Sequence, residues 1–161
     1  MRKILIFTLI SIFYSCNSSA QKKDSKETFA VTKTEAEWKA QLTELQYYVL
    51  REAGTERAFS SPLDKNYAKG IYVCAACETP LFKSEHKFDS GTGWPSFDRP
   101  IEGNVTYSVD YNIGYARNEE HCSTCGGHLG HVFDDGPRET TGQRHCINGA
   151  ALKFIPKKND Q

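Results

Sequence analysis

The sequence predicts a mainly β domain of the α+β class, in which two antiparallel β-sheets pack on each other and short N-terminal helices cover one side. Three features indicate this. Beyond residue 58, short segments rich in β-branched and aromatic residues alternate with Gly, Pro, Asn and Asp. Two helix-capping patterns precede that region, and two Cys-x-x-Cys pairs are spaced widely enough to tie distant strands together through a metal ion.

Two short helices are expected at the start of the domain. Residues 34–37 read Thr-x-x-Glu and residues 43–46 read Thr-x-x-Gln, so in each case the first and last side chains can cap the first helical turn. Trp38 falls inside the first helix. We expect the second helix to end at Gly54, because glycine readily adopts the left-handed conformation that terminates helices.

The strands are expected in segments that are short, partly alternating and bounded by turn residues. They are residues 71–73, 81–82, 105–109, 113–117, 131–133 and 152–154.

Residues 1–20 indicate an export signal rather than a part of the fold. Two basic residues precede an apolar run over residues 4–14, which is too short to span a bilayer but typical of a signal-peptide core. Cleavage before Cys16 would leave a lipidated first residue that anchors the protein in a membrane, whereas residues 18–20 resemble an ordinary cleavage site. Both alternatives predict an exported bacterial protein, either periplasmic or a membrane-anchored lipoprotein.

The chain beyond the signal divides by composition. Residues 21–33 are polar and charged and predict a flexible tether, residues 34–156 form the domain, and residues 157–161 are a polar tail. The net charge is zero over the full sequence, and 18 basic against 20 acidic residues remain beyond the signal. Because no basic run or stripe occurs, the composition argues against binding to nucleic acid.

The two cysteine pairs are the candidate ligands of one structural zinc ion. Four thiolates complete a tetrahedral zinc shell and leave no open position, so such a site supports the fold rather than catalysis. Two disulfides remain the alternative, because an exported protein meets an oxidising compartment. The four candidate ligands are Cys74, Cys77, Cys122 and Cys125.

Cys146 belongs to neither pair and lies between Arg144 and Asn148. The thiolate is the reactive form of cysteine, and neighbouring cations and hydrogen-bond donors lower the pKa of a thiol. The local sequence therefore favours a nucleophile with a lowered pKa. A buried structural cysteine is the alternative.

Two further segments carry residue types suited to a pocket. Trp94 lies in a turn-rich loop over residues 90–97, where its indole can form an apolar wall or cap the core. His128 and His131 are three residues apart, so in a regular strand they face opposite sides of the sheet, and only one would face a site unless a β-bulge intervenes. The alternatives for this pair are hydrogen-bonded structural histidines or further metal ligands.

From about residue 38 to residue 156, the chain resembles the B-type methionine-R-sulfoxide reductases. The resemblance implies reduction of the R epimer of methionine sulfoxide in peptides and proteins, and hence repair of oxidative damage, by a zinc-stabilised β domain. The matching segments, in the order of the family, are Tyr47–Arg51, Gly54–Arg57, Ile71–Cys74, Phe88–Phe97, His128–Phe133, Arg144 and Cys146–Asn148.

The resemblance also assigns roles to individual residues. It implies that Cys146 attacks the sulfoxide sulfur, that His131 is the acid for the departing oxygen, and that Trp94 receives the S-methyl group. The cysteine is left as a sulfenic acid, which a thiol can reduce. The resemblance places three further residues beside the substrate: His128, Asn148 and Arg144.

The chain departs from the family pattern at three positions. Thr92 stands where many members carry a resolving cysteine, so we expect an external thioredoxin-like protein or small thiol to reduce the sulfenic acid. His145 replaces the usual aromatic residue and is expected to alter the field on Cys146, and Gly149 replaces the usual serine. We expect a monomer.

Two other classes of function remain open. A non-catalytic zinc-ribbon module that binds protein or nucleic acid would explain the cysteine pairs, but not the Trp94 loop or Cys146. A redox-sensing lipoprotein would use Cys146 only as a switch and would not turn over methionine sulfoxide.

Overall fold

The computed structural model describes residues 28–111 and 113–158, so the predicted export signal, most of the tether and the end of the tail lie outside the described residues. Within those ranges, no helix is long and apolar enough to cross a membrane. The backbone N–H of Val31 donates to the carbonyl oxygen of Thr124 at 2.9 Å, and the ring of Phe29 lies against Gly126. The packed part of the chain therefore begins before residue 34.

Both predicted helices are present with their caps. Helix α1 spans Glu35–Gln41 and helix α2 spans Glu44–Glu52, and each begins with a complete capping box. The left-handed residue that ends α2 is Ala53, with φ 52°, one position before the predicted stop. Gly54 is required for a different reason, because a Cβ at this position would collide with the ring of Tyr48.

The strands form two antiparallel sheets, which confirms the predicted fold class. The small sheet has the order β2-β1-β9 and contains β1 (Gly70–Cys74), β2 (Pro80–Lys83) and β9 (Leu152–Pro156). The large sheet has the order β3-β4-β8-β7-β6-β5 and contains β3 (Lys87–Phe88), β4 (Ser96–Phe97), β5 (Val105–Asp110), β6 (Arg117–Cys122), β7 (His128–Phe133) and β8 (Arg144–Ile147). Single 3-10 turns occupy Ser84–His86 and Gly149–Ala151.

An aromatic cluster fills the space between the sheets. Phe82 stacks on Phe97 with ring centroids 4.4 Å apart, and the edge of Tyr72 meets Phe97 at 5.0 Å. All three side chains are fully buried. Burying each of these side chains stabilises the fold by roughly 1.5–3 kcal/mol, so the cluster contributes strongly to the packing of one sheet against the other.

The strand predictions fail in several places: β3, β4, β8 and most of β6 were not predicted, and one predicted segment is a turn. Residues 113–117 are not a strand: Gly114 adopts φ +88° and its N–H donates to the carbonyl of Tyr111, which makes this segment the turn between β5 and β6. Only Arg117 belongs to β6. Strand β8, which carries Cys146, was not predicted, because its residues lack the β-branched and aromatic pattern typical of strands.

A buried carboxylate connects the segment after α2 to the turn after β8. Glu56 Oε1 accepts the N–H of Gly149 at 2.5 Å, and Oε2 accepts the N–H of Ala150 at 2.8 Å. The N–H of Glu56 in turn donates to Asn148 Oδ1 at 2.9 Å. Burial raises the pKa of Glu56, although both amides favour its ionised form.

We expect Glu56→Gln to lower the free energy of unfolding by about 1–3 kcal/mol, because one of the two buried amides then faces an NH₂ group instead of a carboxylate oxygen. Urea denaturation monitored by tryptophan fluorescence measures the change. The matched control is Glu52→Gln, an exposed residue at the end of α2, which should be nearly neutral. Equal stability of the two variants would contradict the role given to Glu56.

Candidate active site and metal centre

One cross-strand row of the large sheet carries the candidate nucleophile. Directly opposed residues on neighbouring antiparallel strands share a face of the sheet, and their side chains lie close together. The row therefore places the thiol beside an imidazole on the face turned away from the aromatic core. From β4 to β5 its members are Ser96, Cys146, His131, Glu119 and Ser108.

A small pocket of about 130 Å³ lies over this row. Its lining combines apolar rings with polar side chains, so it can hold a small amphipathic group. A larger groove of about 660 Å³ at the edge of the small sheet contains none of the candidate residues. The pocket is lined by Thr55, Trp94, Arg117, Gly130, His131, Phe133, Cys146 and Asn148.

A β-bulge brings both candidate histidines to the same face. The pairing of β6 with β7 shifts between Glu120 and His121, which makes Leu129 an extra residue of β7. The ring centroids of His128 and His131 consequently lie 5.5 Å apart. Both histidines therefore face the same side of the sheet, the arrangement expected only if a β-bulge intervened.

Each of these histidines has a carboxylate partner. His131 Nε2 lies 3.0 Å from Asp110 Oδ2, and the same carboxylate pairs with Arg117. His128 Nδ1 lies 2.6 Å from Glu119 Oε1. A carboxylate partner fixes the orientation and tautomer of an imidazole. Burial nevertheless lowers the pKa of His128, which is only 3% exposed.

Cys146 does not have the lowered pKa that its sequence neighbours suggested. Burial raises the pKa of this thiol, and the charge of Arg144 and the hydroxyl of Thr92 offset the rise only in part. Arg144 is fixed beside the thiol by Asp135, to which it donates two hydrogen bonds of 2.8 and 3.0 Å. Its guanidinium also lies 4.5 Å from the ring centroid of Phe133. The expectation was wrong because it omitted desolvation, which opposes ionisation of a buried thiol.

His145 faces the opposite side of β8 from the thiol. Its Nδ1 lies 2.6 Å from Glu120 Oε1, and its ring is 6.0 Å from that of Phe82 in the core. Both partners of this ion pair are almost completely buried, and burial raises the pKa of Glu120. His145 therefore belongs to the core and does not line the pocket.

Sequence reasoning gave no role to Glu56, although its backbone holds two pocket residues. Trp94 Nε1 donates to the Glu56 carbonyl at 3.2 Å. The side chain of Asn148 accepts from the Glu56 N–H and donates to the carbonyl of Leu129 at 3.0 Å. The Gly54–Arg57 segment matched the family pattern, and this match could have drawn attention to Glu56, but no function was assigned to it.

The four paired cysteines converge on one point between the sheets. The Sγ atoms of Cys74 and Cys125 are 3.8 Å apart, those of Cys77 and Cys122 are 3.5 Å apart, and all four lie within 4.8 Å of one another. A disulfide requires about 2.05 Å, whereas four sulfurs around an ion at about 2.3 Å are roughly 3.8 Å apart. The cluster fits a tetrahedral metal site and does not fit disulfides.

The local backbone explains why each pair can bind a metal ion. The residue after each pair adopts a left-handed conformation, with φ 62° at Glu78 and 67° at Gly126. The resulting turns return N–H groups to the carbonyls of Cys74 and Cys122. Since one pair follows β1 and the other joins β6 to β7, a bound ion connects the small sheet to the large one.

We expect Cys146 to react slowly with iodoacetamide near about pH 7 and faster only above the ordinary thiol pKa of about 8.5, because burial raises the pKa of this thiol. Arg144→Gln should slow the reaction further, since it removes the charge that lowers the pKa. Mass spectrometry of the peptide containing Cys146 measures the rate. Arg138→Gln, an exposed change, is the control. A half-maximal rate well below pH 8 would contradict the prediction.

Comparison with known proteins identifies the family. The SelR domain pattern matches residues 42–156. A peptide methionine sulfoxide reductase MsrB of Leptospira interrogans is 54% identical over 127 residues, which cover 78% of this chain and 96% of the relative. The MsrB of Agrobacterium fabrum is 53% identical, with 78% and 93% covered. The chloroplastic peptide methionine sulfoxide reductase B1 of Arabidopsis thaliana is 50% identical, with 86% and 70% covered. The chain therefore belongs to the SelR family of methionine-R-sulfoxide reductases.

Proposed function

We propose that the protein reduces the R epimer of methionine sulfoxide in peptides and proteins and thereby repairs oxidative damage. The observation that carries this proposal is the direct opposition of Cys146 and His131 on neighbouring strands, under a pocket with Trp94 as its wall. Neither a zinc-ribbon binding module nor a redox switch requires such a pocket. The family membership and the names of the relatives support the same reaction.

The reaction follows from the groups that line the pocket. The thiolate of Cys146 attacks the sulfoxide sulfur, and a proton passes from His131 to the sulfoxide oxygen as the S–O bond breaks. The S–S bond that this attack forms then breaks as the hydroxyl oxygen passes to the cysteine sulfur, so methionine leaves and Cys146 becomes a sulfenic acid. Asp110 lies 3.0 Å from His131 Nε2 and holds the imidazole in place beside Cys146.

The shape of the pocket supports selection of one epimer. Trp94 and Phe133 offer apolar surface to the S-methyl group, and Asn148 and Arg117 add polar groups to the lining of the same pocket. Exchanging the methyl and oxygen of the sulfoxide would bury an oxygen against the indole without a hydrogen bond, which is unfavourable.

Arg144 and His128 act through other residues. Arg144, which is fixed by Asp135, supplies positive charge beside Cys146 and favours the thiolate. His128 packs edge-on against His131 and limits the orientations of that ring.

An external thiol completes the cycle. Among the described residues, the cysteines other than Cys146 all belong to the metal cluster, and the Thr92 hydroxyl lies beside the nucleophile. A thioredoxin-like protein or a small thiol therefore reduces the sulfenic acid. We also propose that the protein is an exported monomer of the periplasm or of a bacterial membrane surface, with Cys16 as the lipid attachment point in the second case.

The separated R and S epimers of a methionine sulfoxide peptide, with dithiothreitol as reductant, test the activity. Wild type should consume only the R epimer, and Cys146→Ser should consume neither. His131→Gln should lower kcat by about 10²–10⁴-fold, the usual range for loss of a general acid. His86→Gln, an imidazole outside the pocket, should retain full activity. Turnover of neither epimer by folded wild type would refute the proposal.

The same reaction without reductant tests the regeneration step. After one equivalent of substrate, the Cys146 peptide should be heavier by one oxygen atom. With dimedone present, the same peptide should carry the dimedone adduct that is specific for a sulfenic acid. An intramolecular disulfide to Cys146 as the main product would exclude direct reduction by an external thiol.

The ion in the cysteine cluster is zinc in this proposal, because four thiolates in tetrahedral arrangement are a typical zinc shell. Purified protein should contain one zinc per chain. Cys125→Ser should lose the ion and melt at least about 10 °C lower, since metal binding contributes to folding and each kcal/mol is worth about 2–4 °C in a chain of this size. Cys146→Ser should keep both zinc and stability. Wild-type protein that lacks bound metal yet keeps its stability would contradict this assignment.

A further inference from the structure

We propose that Glu119, His121 and His128 form a second metal site, which binds a borderline divalent ion such as Ni²⁺ or Zn²⁺ at the margin of the active-site pocket. The ligand atoms of these three residues all lie within 4.8 Å of one another. Two imidazoles and one carboxylate suit first-row transition metals and differ in chemistry from the cysteine cluster. We further propose that occupation of this site inhibits the reductase, a consequence that rests on the proposed function.

The three residues meet because of the bulge at Leu129. Strand β6 directs Glu119 and His121 to the outer face, two residues apart, and the bulge places His128 opposite His121 on that same face. Without the extra residue, only one of His128 and His131 would point outward.

The distances suit coordination with a small adjustment. Glu119 Oε1 lies between the two imidazoles, 2.6 Å from His128 Nδ1 and 3.5 Å from His121 Nε2. Ligand atoms around a tetrahedral ion at about 2.0–2.1 Å are roughly 3.4 Å apart. An ion that replaces the shared proton of Glu119 and His128 therefore requires the first distance to open by less than about 1 Å.

The surroundings supply access for an ion and a candidate fourth ligand. His121 is the most exposed of the three side chains at 22%, Glu119 is 13% exposed, and His128 is 3% exposed, so an ion can approach from the His121 side. The hydroxyl of Ser108 lies 3.0 Å from His121 Nε2 and 3.3 Å from Glu119 Oε2. Arg117, a cation on the same face, is paired with Asp110.

Occupation of the site alters the pocket through one contact. The ring of His128 packs edge-on against His131, with centroids 5.5 Å apart, and the register places Glu119 directly opposite His131. Coordination replaces the hydrogen bond between Glu119 and His128 with bonds to the ion. The His128 ring must then shift, and it no longer supports His131 in the same position.

Titration of zinc-loaded full-length Cys146→Ser protein with Ni²⁺, followed by calorimetry, tests the site without the reactive thiol. One Ni²⁺ should bind per chain in addition to zinc. Adding His121→Gln should weaken binding by more than about tenfold, since loss of even a supporting partner of a metal ligand costs 10–100-fold. His86→Gln is the matched control and should bind as the parent does. Binding that is absent from the parent, or unchanged by His121→Gln, overturns the proposal.

A check on zinc content separates loss of the second site from damage to the cysteine cluster, because His121 precedes Cys122. One zinc per chain must remain in the His121→Gln protein. If zinc is lost, Glu119→Gln takes its place, with the same expected loss of Ni²⁺ affinity.

Single-turnover reduction of the R-sulfoxide peptide by pre-reduced enzyme tests inhibition without a thiol that would chelate the ion. Ni²⁺ should slow wild type, EDTA should restore it, and His121→Gln with Cys146 intact should keep its basal rate and lose the inhibition. Inhibition that persists in His121→Gln would assign the effect to Cys146 instead. Failure of the proposed reductase activity would remove this arm and leave the Ni²⁺ titration decisive.

Discussion

The pairing of β7 with β8 is the constraint on which the rest of the site depends. It sets His131 directly opposite Cys146 and brings the two backbones so close at Gly130 that a Cβ there would collide with the carbonyl oxygen of Cys146. Glycine at this position is therefore a packing requirement rather than a turn signal. The bulge one residue earlier, at Leu129, then decides which face His128 occupies. A one-residue change in this register would move the imidazole and the thiol to different faces.

Two devices outside that pair of strands keep the site rigid. The cysteine cluster connects the end of β1 to the turn between β6 and β7, so it fixes the strand that carries the histidines against the small sheet. Glu56 connects the segment after α2 to the turn after β8, and its backbone holds both Trp94 and Asn148. These contacts hold the two loop residues of the pocket, Trp94 and Asn148, in fixed positions, and such support from neighbouring residues preorganises a site.

Local sequence rules predicted the parts of the structure that local interactions determine. Both capping boxes depend on residues three apart, and both cysteine pairs depend on a single turn, so these features could be read directly. The charged strand β6 has no apolar alternation because Arg117, Glu119 and His121 face the site instead of the core. The mistaken strand at residues 113–117 and the unrecognised strand β8 have the same origin, since burial and pairing are properties of the whole fold.

For the candidate site, too, the sequence predicted which residues matter but not the surroundings that the whole fold gives them. The resemblance identified residues that the structure does bring together, but neighbours in the sequence misled the reading of their environment. His145 adjoins Cys146 along the chain, yet alternation along the strand turns it into the core, where it pairs with Glu120. Arg144, two residues away, shares the face of the thiol, and its charge does favour the thiolate. Burial raises the pKa of Cys146 by more than that charge lowers it, and the residues next to Cys146 in the sequence do not indicate how far it is buried.

A resting thiol with a raised pKa is consistent with the chemistry proposed for it. Oxidants attack the thiolate, so the raised pKa of the half-buried Cys146 thiol makes it less reactive toward them. Among the described residues, the other cysteines all belong to the metal cluster, so in the proposed mechanism the sulfenic acid persists until an external thiol arrives. The same burial that slows unwanted oxidation of the thiol also shields the sulfenic acid from further oxidation. The desolvation that raises the pKa of Cys146 is thus consistent with a nucleophile that must stay reduced between turnovers.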